Sequence, residues 1–304
     1  MRRGKLLANG VRIGLLAPAS PISNDQLQQS ILFFEKMGFE LTIGHTCYES
    51  YGGYLAGSPG KRAKELNDMF SNPDIQAIFC ARGGYGTPQL LDLLDYEMIA
   101  ENPKLFIGYS DITALHIAFQ QKCNLATIHG PMPASDLITA DEFTIKSLFQ
   151  VIQNDEPYQI KNPPNEEISC LVPGVAKGIL TGGNLSLVTG LLGTPYEIDT
   201  KGKILFLEEI GEQPYKVDRM LTQLDLAGKL KDAAGFVLGT WTKCEAERKE
   251  SFNVQEVIEN MIVPYKKPAI YNLRAGHCSP AVTLPFGLQS LLDAENKSLT
   301  IGVK

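Results

Sequence analysis

Apolar and polar positions along this chain follow two alternating periods, and each change of period marks a new element. Val11 to Ala17 is an almost unbroken apolar run ended by Pro18, as a buried strand requires. From Ser23 onward Leu27, Ile31 and Phe34 fall four and three apart, on one face of a helix. Ser23 with Gln26 makes a capping box at its start, and Gly38 stops it. Phe39 to Ile43 reads as a second strand, about Lys61 to Phe70 as a helix, and Ile75 to Cys80 as a third strand. A helix is expected from about Pro88, then a short strand from Leu105 to Ile107. Ile112, Leu115 and Phe119 return to helical spacing, Leu125 to Ile128 is again strand-like, and a helix from about Ala140 to Gln153 closes this half.

Asn154 to Glu167 is polar and carries three prolines, which reads as a linker. Beyond it, Lys177 to Leu180, Ile204 to Leu207, Phe236 to Trp241 and Ala269 to Leu273 are strand-like. Gly182-Gly183-Asn184 is expected to open a helix, and another runs from about Tyr215 to Leu226 with Val217, Leu221 and Leu224 inward. Val282 to Gly287 and Ser298 to Val303 are expected to pair antiparallel at the end of the chain. The expected division is a domain over 1–155, a linker over 156–168 and a second domain over 169–304. Short strand–helix–strand units in the first half predict an α/β fold with a parallel sheet covered by helices on both faces. In such sheets, sites form where loops leave the carboxyl ends of the strands.

Composition narrows the function classes. A chain of 304 residues with 44% apolar and 20% charged residues suits a folded globular protein. The net charge of −6, with no block of like charges, argues against nucleic acid or an anionic membrane surface as partner. No apolar stretch approaches the roughly 20 residues of a membrane span. The basic start, Arg2-Arg3-Gly4-Lys5, precedes only two apolar residues, too few for a signal-peptide core, so the cytoplasm is the expected compartment. None of the six cysteines forms a Cys-x-x-Cys pair, and the four histidines lack metal-ligand spacing; reduced thiols, no metal and no cofactor are expected.

The run Leu105-Phe-Ile-Gly-Tyr-Ser-Asp-Ile112 holds the sharpest chemical signal. A serine on a tight strand-to-helix turn has its hydroxyl lifted off the backbone, with the first helix amides aimed at whatever reacts there. Ser110 occupies that position, although Ile112 replaces the second glycine of the usual Gly-x-Ser-x-Gly form. A Ser-Asp helix cap would write the same residues. A serine nucleophile needs a base, and the base an orienting group. Of the histidines, His116 falls inside the helix after the turn, His129 ends a strand, His45 is uninformative, and His277 sits on a loop just after a strand, where bases are often mounted. Glu208 and Glu209 end an apolar strand and point to opposite faces, one expected toward a site and one toward solvent. Three glycines in Arg82-Gly83-Gly84-Tyr85-Gly86 suit backbone amides brought to a ligand oxygen, or simply a tight turn. Arg82 reads equally as a partner for a substrate carboxylate and as a structural ion pair.

Together these segments resemble the LD-carboxypeptidase family of serine peptidases, with a likeness spanning nearly the whole chain. It is carried by Leu16-Ala-Pro-Ala-Ser20, Ala81-Arg-Gly-Gly-Tyr-Gly86, Gly108-Tyr-Ser-Asp111, His129-Gly-Pro-Met132, Gly182-Gly-Asn-Leu185, Leu192-Gly-Thr-Pro195, Leu207-Glu-Glu209, Pro214 to Met220, Gly276-His277 and Val282-Thr-Leu-Pro285. The resemblance implies a Rossmann-like amino-terminal domain, a smaller mixed α/β carboxyl-terminal domain, a homodimer, and a site between the domains. It implies a triad of Ser110, His277 and Glu208, with the oxyanion held by amides of Asp111 and of Gly83 or Gly84. Glu209 stands where the family's pattern leads one to expect aspartate. The implied reaction removes terminal D-alanine from muropeptide tetrapeptides. A second branch, the microcin C immunity peptidases, implies aminoacyl-nucleotide conjugates instead, and a non-catalytic muropeptide-binding protein is the reading from outside enzymology.

Overall fold

The computed structural model describes residues 1–248 and 250–303. Its strands, in chain order, are β1 (Arg12–Leu16), β2 (Glu40–Ile43), β3 (Ile75–Cys80), β4 (Leu105–Gly108), β5 (Thr127–His129), β6 (Tyr158–Ile160), β7 (Ser169–Val172), β8 (Val175–Asn184), β9 (Ile204–Ile210), β10 (Gly235–Thr242), β11 (Ala269–Tyr271), β12 (Leu284–Phe286), β13 (Gln289–Asp293) and β14 (Ser298–Ile301). The chain divides into two compact units, 1–155 with 283–287, and 156–282 with 288–304.

The first unit is Rossmann-like. Its sheet runs β12-β5-β4-β3-β1-β2, parallel except for the edge strand β12. The strands are apolar on both faces, and Ile13, Leu15, Ile78, Phe79, Phe106 and Ile107 are fully buried, which is why they form continuous runs rather than alternating ones. The capping box of Ser23 and Gln26 opens the helix Asn24–Lys36, and Ser58 caps Pro59–Ser71 with Pro59 in its first turn. The chain leaves β1 toward β2 on one side and reaches β3 on the other, so the direction of winding reverses between β1 and β3. The loops after β1, β3 and β4 therefore gather at the carboxyl edge of the sheet, at and beside its switch point.

The second unit is a mixed α/β structure. Its eight strands run β6-β14-β13-β8-β9-β10-β11-β7, parallel across β8, β9, β10 and β11 and antiparallel toward both edges. Phe206, Leu207, Phe236, Val237 and Ile270 fill its core, against the buried face Val217, Leu221 and Leu224 of the helix Pro214–Leu226.

Several expectations fail for identifiable reasons. The Pro-rich segment 156–168 is not a bare linker: Tyr158–Ile160 pairs with β14 and the whole segment groups with the second unit. The final antiparallel pair is different from the expected one. Leu284–Phe286 adds to the first sheet beside β5, while Ser298–Ile301 lies between β13 and β6. Pairing across such sequence distances leaves no local pattern. The helix expected from Pro88 is a 3₁₀ segment, Thr87–Leu93, followed by a short α-helix Tyr96–Glu101. Gly182 and Gly183 remain in β8, and Asn184 caps the helix that begins only at Leu185.

Candidate active site

In the first unit, β4 ends at Gly108 and a 3₁₀ turn Ser110–Ile112 leads directly into the α-helix Thr113–Cys123. Ser110 has φ of 64°, the left-handed region that costs an ordinary residue about 1–3 kcal/mol. The strain is characteristic of a nucleophile turn and not of a plain Ser-Asp cap, where the capping residue is extended. The loop after β3 comes against it. A Cβ on Gly83 would lie 3.0 Å from the Ser110 Cβ and 3.2 Å from its Oγ, so a larger residue would have to push the serine side chain aside by a few tenths of an ångström, and glycine leaves this approach of backbone to hydroxyl undisturbed. Gly83 accepts from the amide of Ser20 at 3.3 Å, and Ser20 Oγ accepts from the Tyr85 amide at 3.1 Å, which joins the loops after β1 and β3.

Asp111 is buried, and its carboxylate accepts from the Thr87 amide at 2.8 Å, while the Thr87 hydroxyl donates to the Asp111 carbonyl. Burial pushes the Asp111 carboxyl up, opposed by these hydrogen bonds and by the charge of Arg62. Arg82 makes no ion pair among the described residues; its Nη1 reaches the Pro21 carbonyl at 3.4 Å. His116 and His129 are both buried. His116 Nε2 donates to the Gly108 carbonyl at 2.8 Å, and His129 packs against the rings of Tyr109 and Phe286. Both are part of the support beneath the serine turn.

In the second unit, Glu208 lies on β9 and His277 on the loop after β11. His277 Nδ1 is 2.7 Å from Glu208 Oε2, and the His277 amide donates to the same oxygen at 3.2 Å. Glu208 is wholly buried, whereas the His277 side chain keeps 14% of its surface exposed. Gly276, at φ 104°, allows the approach: a Cβ there would fall 2.4 Å from Glu208 Oε2. Glu208 thus fixes the imidazole through Nδ1–H and leaves Nε2 as the basic nitrogen.

Neither glutamate faces solvent, contrary to the expectation that one of the pair would. Glu209 is buried, and its carboxylate accepts from Asn184 Nδ2, the Ser186 amide and hydroxyl, and the Ile210 amide at 2.7–2.8 Å. Four donors hold it at the start of the helix Leu185–Gly190, so its work is to anchor that helix. Sequence reasoning singled out the Glu pair but did not see Asn184 and Ser186 as its partners; the Gly-Gly-Asn-Leu-Ser run was the available signal. It also passed over Arg62 and Thr87, which brace the glycine loop.

A nucleophile turn and an oriented histidine are the parts from which serine-type peptidases are built, and the relatives of this chain belong to that class. Residues 13–130 match the LD-carboxypeptidase N-terminal domain and residues 177–292 the LD-carboxypeptidase C-terminal domain. The chain belongs to the LD-carboxypeptidase family and is a serine-type carboxypeptidase. It is 40% identical to the probable murein peptide carboxypeptidase of Bacillus subtilis, covering 98% of this chain and 93% of that protein. It is 28% identical to the microcin C7 self-immunity protein MccF of Escherichia coli, over 97% and 94%. Among solved structures, the muramoyltetrapeptide carboxypeptidase of Oxalobacter formigenes superposes with a TM-score of 0.85 at 28% identity, covering 96% of this chain and 99% of that one. MccF bound to glutamyl sulfamoyl guanosine superposes with a TM-score of 0.92 at 25% identity, covering 99% and 98%.

Proposed function

We propose that this protein removes the terminal D-alanine from muropeptide tetrapeptides by cleaving an L,D amide bond, in peptidoglycan recycling in the cytoplasm. The observation that carries the reading is the buried Glu208 holding His277 through Nδ1 at 2.7 Å, in a chain similar throughout to a murein peptide carboxypeptidase. Ser110 is the nucleophile, His277 the base and Glu208 the orienting acid. His277 Nε2 takes the Ser110 proton as Oγ attacks the carbonyl of the L-centre. The tetrahedral oxyanion is stabilised by the amides of Asp111 and of Gly83 or Gly84. Protonated His277 then donates to the leaving nitrogen of D-alanine, and water, deprotonated by the same nitrogen, releases the acyl group. Arg82 receives the terminal carboxylate of the substrate. The working unit is a homodimer, which sedimentation would measure.

Mass spectrometry after incubation with L-Ala-γ-D-Glu-meso-diaminopimelate-D-Ala tests this. Wild type releases D-alanine, and Ser110→Ala releases none. The 0.92 superposition on MccF favours a second reading, an immunity-type peptidase acting on aminoacyl-nucleotide conjugates. Cleavage of such a conjugate, with the tetrapeptide left intact, would move the assignment there.

A further inference from the structure

Arg62 is among the largest fully buried side chains of the protein, with 0% exposure. It rises from the helix Pro59–Ser71, and no carboxylate lies within ion-pair distance of it among the described residues. Its donors go instead to backbone and amide oxygens on three separate segments. Nη1 donates to the Pro18 carbonyl at 2.6 Å and the Gly86 carbonyl at 3.0 Å, Nε to the Gly57 carbonyl at 3.0 Å, and Nη2 to Gln89 Oε1 at 2.8 Å. One guanidinium therefore ties the loop after β1 to the far end of the glycine loop after β3. A planar fork with five N–H groups can do this; an ammonium cannot reach all four oxygens.

Burying a cation without a contacting anion is costly, and the cost needs a reason. Asp111 supplies one. Its carboxylate is also buried, it bonds to the Thr87 amide next to Gly86, and its charge acts favourably on that of Arg62. An uncompensated carboxylate beside Ser110 would oppose negative charge developing on a substrate oxygen. Arg62 offsets it while holding the loop on which Gly83 and Gly84 sit.

We infer that Arg62 is a positioning residue for acylation: it sets the glycine loop 82–86 against the Ser110–Asp111 turn and balances the Asp111 carboxylate behind the oxyanion amides. The inference rests on Ser110 being the nucleophile. It predicts a defect in the transition state and not in ground-state binding, because the side chain touches no substrate.

The test compares wild type, Arg62→Lys and Arg62→Gln in three measurements: kcat and KM for D-alanine release, the thermal midpoint, and the rate at which a phosphonofluoridate modifies Ser110. In the last reaction the Oγ–P bond forms, the P–F bond breaks, fluoride leaves, and His277 takes the serine proton. Arg62→Gln should lower kcat about 100-fold with KM changed by less than about threefold, and slow phosphonylation by a comparable factor. Arg62→Lys, which keeps the charge and loses the fork, should fall between the two in both rates. Rates per folded molecule equal to wild type in both variants, whatever the thermal midpoint, would overturn the inference. If Arg62→Gln does not fold, the Lys variant decides by the same readouts. Phosphonylation of wild type without D-alanine release would remove the proposed substrate and leave Arg62 to be judged on phosphonylation rates. Failure of both reactions in wild type would remove Ser110 as nucleophile, and this inference with it.

Discussion

Two adjacent glutamates with the same side chain meet different partners: Glu208 faces His277, and Glu209 faces the donors of Asn184, Ser186 and Ile210. Glu208 presents one oxygen to His277, and its Oε1 has no hydrogen-bond partner among the described residues. In the proposed mechanism a carboxylate so placed would gain most when His277 becomes an imidazolium, as the oxyanion forms. Glu209 is already satisfied by four donors, although burial pushes its carboxyl up. Glu208→Gln should lower kcat by about 10⁴-fold with a small change in KM, since the wrong tautomer of His277 would be favoured. Glu209→Gln should cost about 1–3 kcal/mol of stability and act on the rate far less, because it strands donors around a helix start. Steady-state kinetics and thermal unfolding on both variants separate the two roles.

At the scale of elements, the strand–turn–helix unit β4 to Cys123 depends on a buried histidine. The helix Thr113–Cys123 is covered on nearly all sides, so its polar His116 has only internal partners: Nε2 donates to the Gly108 carbonyl, while Nδ1 has no hydrogen-bond partner among the described residues. Burial lowers the His116 pKa from 6.5 to about 4, so the folded protein holds the ring neutral where the unfolded chain would be protonated. The unfolded state then binds more protons between these values, and stability rises with pH across that window. The contribution is fully present above pH 6.5 and is lost as pH falls toward 4, by about 3 kcal/mol in all. Denaturant titrations from pH 4 to 7 should show a shallower slope for His116→Gln, whose amide can still donate to Gly108.

For the whole molecule, neither unit is a continuous stretch of chain. After running through the second unit, the chain returns for residues 283–287 and places β12 on β5, pairing Leu284 with His129 and Phe286 with Thr127. Phe286 is fully buried against the rings of His116 and His129. Residues 1–155 expressed alone would leave that edge and those rings uncovered. Such a fragment should fail to give a cooperative thermal transition, while the full chain unfolds with one or more sharp ones; calorimetry of both distinguishes them.

Local pattern was enough for the alternation of strands and helices in the first half, the capping of Asn24–Lys36 by Ser23, and the strand–turn–helix around Ser110, because hydrophobic period and cap chemistry act within a few residues. The two glutamates, the glycine loop and His277 were also legible as chemistry-bearing residues, each standing at the end of a strand. The alternating pattern alone leaves open which glutamate meets His277; the family resemblance points to Glu208, and the folded chain supplies the physical reason. Alternation along β9 places them on opposite faces but does not say what packs there, and Asn184 and Ser186 came to one face while Gly276 let His277 reach the other. The same holds for β6 and β12, whose partners lie more than a hundred residues away, and for Arg62, whose burial depends on carbonyls from segments that meet only in the folded chain. Long-range pairing and the satisfaction of buried polar groups are properties of the assembled chain, and no window of sequence contains them.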